Sequence, residues 1–139
     1  MTKLASIIMA ALALPGFLAA QSARLMVHVP FGFEVANKTL PAGDYIVSNG
    51  PQGIVTMQNA GSRVSLATAT IADYSAAPYG YRLIFSRYGD RNFLSKVWMG
   101  DSGQAIRKSR AEKERLTAKR DTPQELILAA RVVEERLTH

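Results

Sequence analysis

From Arg24 to about Gln104 the chain is cut into short apolar runs by proline, glycine, asparagine and aspartate, and this punctuation constrains the fold more than any other feature. Leu25, Val27 and Val29 alternate with Met26 and His28 until Pro30 stops the run. Phe31, Phe33 and Val35 alternate next, with Gly32, Glu34 and Ala36 on the other face. Leu40-Pro41-Ala42-Gly43 suits a tight turn, because proline pre-sets one dihedral and glycine closes it. Tyr45-Ile46-Val47 is parted from Ile54, Val55 and Met57 by Asn49-Gly50-Pro51-Gln52-Gly53, a cluster hostile to helix. Asn59-Ala60-Gly61 then turns the chain into a Val-, Leu-, Thr- and Ile-rich stretch from Arg63 to Tyr74. Short strands joined by tight turns predict a mainly β protein, a small antiparallel β-barrel or sandwich.

The sharpest local expectation is a hairpin from Tyr81 to Trp98 around Gly89-Asp90, a pair suited to a two-residue turn with positive dihedrals. That register sets Phe85 against Leu94, Ile84 against Ser95 and Tyr81 against Trp98. Tyr81, Leu83, Phe85, Leu94 and Trp98 then share the face assigned to the core.

After Gly103 the composition changes. Ser109-Arg110-Ala111-Glu112 is a capping-box pattern, and the residues that follow favour helix to about Arg120. Only Ala111, Leu116 and Ala118 are apolar there, so a helix over 109–120 lies mostly in water, with a Glu112–Arg115 pair worth a few tenths of a kcal/mol. Beyond it, Thr122-Pro123-Gln124-Glu125 caps a helix as readily as Leu126 to Ala130 makes a buried closing strand, and periodicity does not choose between them.

The N-terminus speaks to compartment. Lys3, the apolar run Leu4 to Leu18 and the small residues through Ala23 have the layout of a cleaved secretory signal over residues 1–22, too short for a first reading as a membrane span. Its removal from 139 residues leaves about 117, enough for one domain over 23–139 with a modest core. An exported chain, periplasmic or secreted, with no transmembrane segment after cleavage, is the expectation. The sequence has no cysteine, which rules out disulfides, thiolate metal ligands, cysteine nucleophiles and lipid attachment through an N-terminal cysteine.

Five segments in order carry a resemblance: Val29-Pro30-Phe31-Gly32-Phe33; Leu40 to Tyr45; Leu83-Ile84-Phe85-Ser86-Arg87-Tyr88-Gly89-Asp90; Phe93-Leu94-Ser95-Lys96-Val97-Trp98; and Lys108-Ser109-Arg110-Ala111-Glu112-Lys113. Behind a signal segment, this chain resembles the small exported proteins of unknown function common in Acidobacteria and similar soil bacteria. The resemblance implies a mainly β domain of a Gram-negative cell envelope. It also implies a β-like run before an Ala-Arg near the end, which favours a strand over 124–130. It brings no activity with it.

Chemistry-bearing motifs are sparse. Gly100-Asp101-Ser102-Gly103 copies the nucleophile motif of chymotrypsin-like proteases, and His28, Asp44 or Asp73, and Ser102 follow that family's chain order. Gln104-Ala105 replaces the glycine-proline expected next, however, and the chain is about half the length that two barrels need, so a turn is the better reading. His28 and His139 lie far apart, and neither has partners at metal-ligand spacing. The acids Glu34, Asp44, Asp73, Asp90 and Asp101 fall mostly in turns, where Asp bonds its own backbone. No phosphate-binding loop occurs, and the tyrosines near Arg82, Arg87 and Arg91 split across two hairpin faces, so no nucleic acid is expected. Asn37-Lys38-Thr39 is a bare glycosylation triplet.

One candidate remains. Of a net charge of +6, the stretch 107–120 holds Arg107, Lys108, Arg110, Lys113, Arg115, Lys119 and Arg120 against Glu112 and Glu114, a local +5. Such a run is either a solvated face or a contact for an anionic envelope component or an acidic protein. The expectation is thus a non-enzymatic, cofactor-free binding or structural module, with a small apolar-ligand carrier in a barrel as the rival reading.

Overall fold

The computed structural model describes residues 24–73, 80–100, 102–118 and 122–133. The segment 1–22 expected to be a leader, Asp101, Lys119, Arg120 and residues 134–139 lie outside the described residues.

Among the described residues there are eleven strands, one α-helix and a single 3-10 turn at Pro51–Gly53: β1 (Arg24–Val29), β2 (Phe33–Val35), β3 (Lys38–Leu40), β4 (Gly43–Asn49), β5 (Ile54–Asn59), β6 (Ser65–Asp73), β7 (Gly80–Tyr88), β8 (Arg91–Gly100), β9 (Ser102–Ile106), α1 (Arg110–Ala118), β10 (Gln124–Ala129) and β11 (Arg131–Val132). The ladder runs β10-β7-β8-β9-β6-β5-β4-β1-β11, antiparallel throughout. The short β2–β3 hairpin joins it through one parallel bridge, Glu34 to Phe93. β6 serves both halves of the sheet: Ser65 to Ala69 pair with β5, and Thr70 to Asp73 pair with β9.

The barrel expectation does not hold. β10 and β11 end the hydrogen-bonded path, and no ladder joins them, so the sheet is not closed and the fold is a sandwich-like all-β one. The stretch left ambiguous by periodicity is strand. β10 follows β7, Ala130 donates its N–H to the Tyr81 carbonyl, and the chain then passes to β1 as β11.

Alternation along the strands builds the core. Leu25, Val27 and Val29 of β1, Tyr45 and Val47 of β4, and Val55 and Met57 of β5 are all essentially inaccessible. Leu83 and Phe85 of β7 with Leu94 and Val97 of β8 belong to the same core. Phe33 ties the halves together edge-on, its ring 5.3 Å from Tyr45 and 5.4 Å from Phe85. The Tyr45 hydroxyl, inside this apolar shell, donates to the Pro41 carbonyl, so its polar end is satisfied.

The β7–β8 hairpin departs from the expected register. Tyr88–Arg91 through Phe85–Leu94 pair as the turn dictates, but Ile84 then meets Lys96 rather than Ser95. A bulge adds one residue to β8, and one residue flips the inside and outside of everything beyond it. Val97 and Met99 therefore face Leu83 and Tyr81, while Trp98 stands opposite Arg82 on the other face. Tyr81, expected in the core, is 39% exposed near the strand end. Trp98 is buried instead over Gly103 of β9, where a Cβ would lie 2.9 Å from the indole.

Candidate functional site

The basic helix begins where sequence rules place it. Ser109 accepts the Glu112 N–H at 3.1 Å through its hydroxyl, and its carbonyl accepts the Lys113 N–H at 2.9 Å. Only half of the capping box forms, because the Glu112 carboxylate is committed elsewhere.

That commitment is what seats the helix. Glu112 is 3% exposed, and its Oε2 accepts a hydrogen bond from the Tyr88 hydroxyl at 2.9 Å, with Lys108 Nζ at 3.8 Å. Arg115 donates through Nη2 to the Tyr88 carbonyl at 2.9 Å. Both anchors converge on one residue at the end of β7, so the expected Glu112–Arg115 pair is replaced by two contacts to the sheet. The Tyr88 ring stands edge-on to Phe93, 5.5 Å between centroids, on the outer face of the hairpin. Burial, the hydrogen bond to Glu112 and the charge of that carboxylate all push the Tyr88 phenol well above its ordinary value. Apolar contact adds little: Ala111 is half-buried and Leu116 is 38% exposed.

Polar anchoring sorts the cations. Arg107, Lys108, Arg110 and Lys113 are exposed, whereas Arg115 is half-buried and engaged with Tyr88. Lys119 and Arg120, also expected here, lie outside the described residues. Arg110 and Glu114 approach only to 3.9 Å at the surface, a pair of little energetic weight. Arg110, Lys113, Glu114 and Thr117 line a shallow open hollow on this face.

The protease-like residues do not assemble. His28 on β1 and Asp44 on β4 pair across the ladder, Nδ1 to Oδ1 at 2.7 Å. Ser102 opens β9, three strand steps of roughly 4.8 Å each from β4 along the sheet path. Within the motif Gly100 ends β8 at φ 78°, and Ser102 and Gly103 begin β9. Alternation with Leu25, Val27 and Val29 turns His28 outward, but its partner is not legible in the sequence, since the pairing of β1 with β4 skips the intervening hairpin.

No family model, no curated protein and no solved structure matches this chain.

Proposed function

We propose that this is an exported, non-catalytic binding module of the cell envelope that docks on anionic lipid surfaces through α1. One observation carries the reading: Glu112 and Arg115 hold the helix to Tyr88, and Arg107, Lys108, Arg110 and Lys113 are left exposed. Each cation near an anionic bilayer contributes about 1 kcal/mol, so four against Glu114 give about 3 kcal/mol, a weak, reversible and salt-sensitive attachment. The thin apolar stripe argues for lying on headgroups rather than inserting. The leader pattern and the resemblance to exported proteins of soil bacteria supply the compartment in which such surfaces occur.

The apolar-carrier reading is the weaker one. Tyr45, Phe33 and Phe85 rank among the largest fully buried side chains and occupy the space a ligand would need.

Vesicle co-sedimentation tests the proposal with Arg107→Glu, Arg110→Glu and Lys113→Glu combined, leaving Arg115 to its structural contact. The wild type should bind vesicles rich in phosphatidylglycerol but not phosphatidylcholine at low salt, and the triple variant should lose at least tenfold in partitioning. Equal binding by the two proteins refutes it, as does wild-type binding confined to an acidic protein.

A further inference from the structure

A second site stands apart from the basic helix and uses none of its residues. On the outward face of β1 and β4, His28 Nδ1 lies 2.7 Å from Asp44 Oδ1, with the two side chains 69% and 58% exposed. This contact orients the ring: Asp44 holds the Nδ1 side, and Nε2 faces away from it. One row along, Arg131 of β11 stands opposite Met26 of β1. Among the described residues no carboxylate forms a salt bridge with Arg131. Where β10 gives way to β11, the chain carries only Ala129 and Ala130, and small side chains there leave an open hollow of about 390 Å³. Met26, His28, Asp44, Ala129, Ala130 and Arg131 line it.

An ordinary cross-strand His–Asp pair needs neither a neighbouring arginine nor a hollow. Here His28, oriented by Asp44, and Arg131 line the same hollow. We propose that this hollow binds a small ligand through an oxyanion, a carboxylate or a phosphate group, held between the Arg131 guanidinium and His28 Nε2, with Met26 and Ala129 against its apolar part. A planar guanidinium fork matches the paired oxygens of either group. The imidazole suits both: as imidazolium, balanced by Asp44, it donates Nε2–H to an oxyanion oxygen, and as neutral ring it accepts from the P–OH of hydrogen phosphate. The volume falls in the range of small-molecule sites, roughly 300–1,000 Å³.

The test is an NMR titration of the His28 imidazole in the full chain, assigned with His28→Gln, using inorganic phosphate and, separately, acetate at constant ionic strength. A saturable shift with either anion supports the site, and the anion that saturates names the oxyanion class. Arg131→Gln should weaken that saturation about tenfold, as expected for losing a charged hydrogen-bond donor. Ala129→Phe fills the hollow without touching a charge and should weaken it comparably, whereas Arg110→Glu should leave it unchanged. A linear drift without saturation for both anions overturns the proposal, as does a curve that neither Arg131→Gln nor Ala129→Phe alters.

Discussion

Replacing Tyr88 by phenylalanine removes one oxygen and tests whether α1 is held by polar chemistry. The lost hydroxyl is the donor to the buried Glu112 carboxylate at 2.9 Å, and the ring stays in place against Phe93. A hydrogen bond to a charged group is worth about 1.5–3 kcal/mol, so urea unfolding at pH 8 should show a loss of about 2 kcal/mol. The gap should also depend on pH. The phenol titrates near 10 in the unfolded chain but well above that when folded, so above pH 10 the unfolded state binds fewer protons and wild-type stability falls. By pH 11 this linkage amounts to about 1 kcal/mol. Phenylalanine has no such titration, so the gap between the two proteins should narrow by that amount between pH 8 and pH 11. Whatever is common to the two proteins cancels in the difference. Trp98, the single tryptophan, lies on the same face of the hairpin as Tyr88 and reports the unfolding by fluorescence. A gap below about 0.5 kcal/mol at pH 8, or one that does not change with pH, would refute the account of how the helix is seated.

Three further outcomes are expected. Gly103→Ala forces a Cβ to within 2.9 Å of the rigid Trp98 indole and should cost about 1–3 kcal/mol by calorimetry, with a shift in tryptophan emission; an unchanged melting temperature would contradict the close approach. Ala36→Gly relieves an alanine held at φ 49° in the β2–β3 turn and should stabilise the protein by roughly 0.5–1 kcal/mol, visible as a higher melting temperature. Ser109→Ala removes the helix cap and should lower stability by about 1 kcal/mol while raising amide exchange at Glu112 more than in the β strands.

Local chemistry was readable without a structure. The strands around Val27, Val47, Val55 and Phe85 follow from period-two alternation, and the helix start at Ser109 from its side chain's ability to replace a missing backbone partner. The Ala36-Asn37 turn was not readable, because alanine at positive φ carries no turn signal and is held there by the strands it joins. Nor was the bulge after Ile84. Extra residues in a strand are chosen by what both faces must bury, here Val97 and Met99 on one side and Trp98 over Gly103 on the other.

The candidate sites divide in the same way. The cations of 107–120 are evident from composition, but which of them remain at the surface depends on Tyr88, 24 residues from Glu112 and 27 from Arg115 in the chain. The His28–Asp44–Arg131 grouping depends on β1 lying between β4 and β11, a neighbourhood set by the whole sheet. The alternation, most of the turns, the helix cap and the basic segment follow from the chain's local order, because each depends on residues within a few positions of one another. The open sheet, the flipped face of β8 and the groups that meet at each site come only with folding, because those depend on contacts between residues distant in the chain.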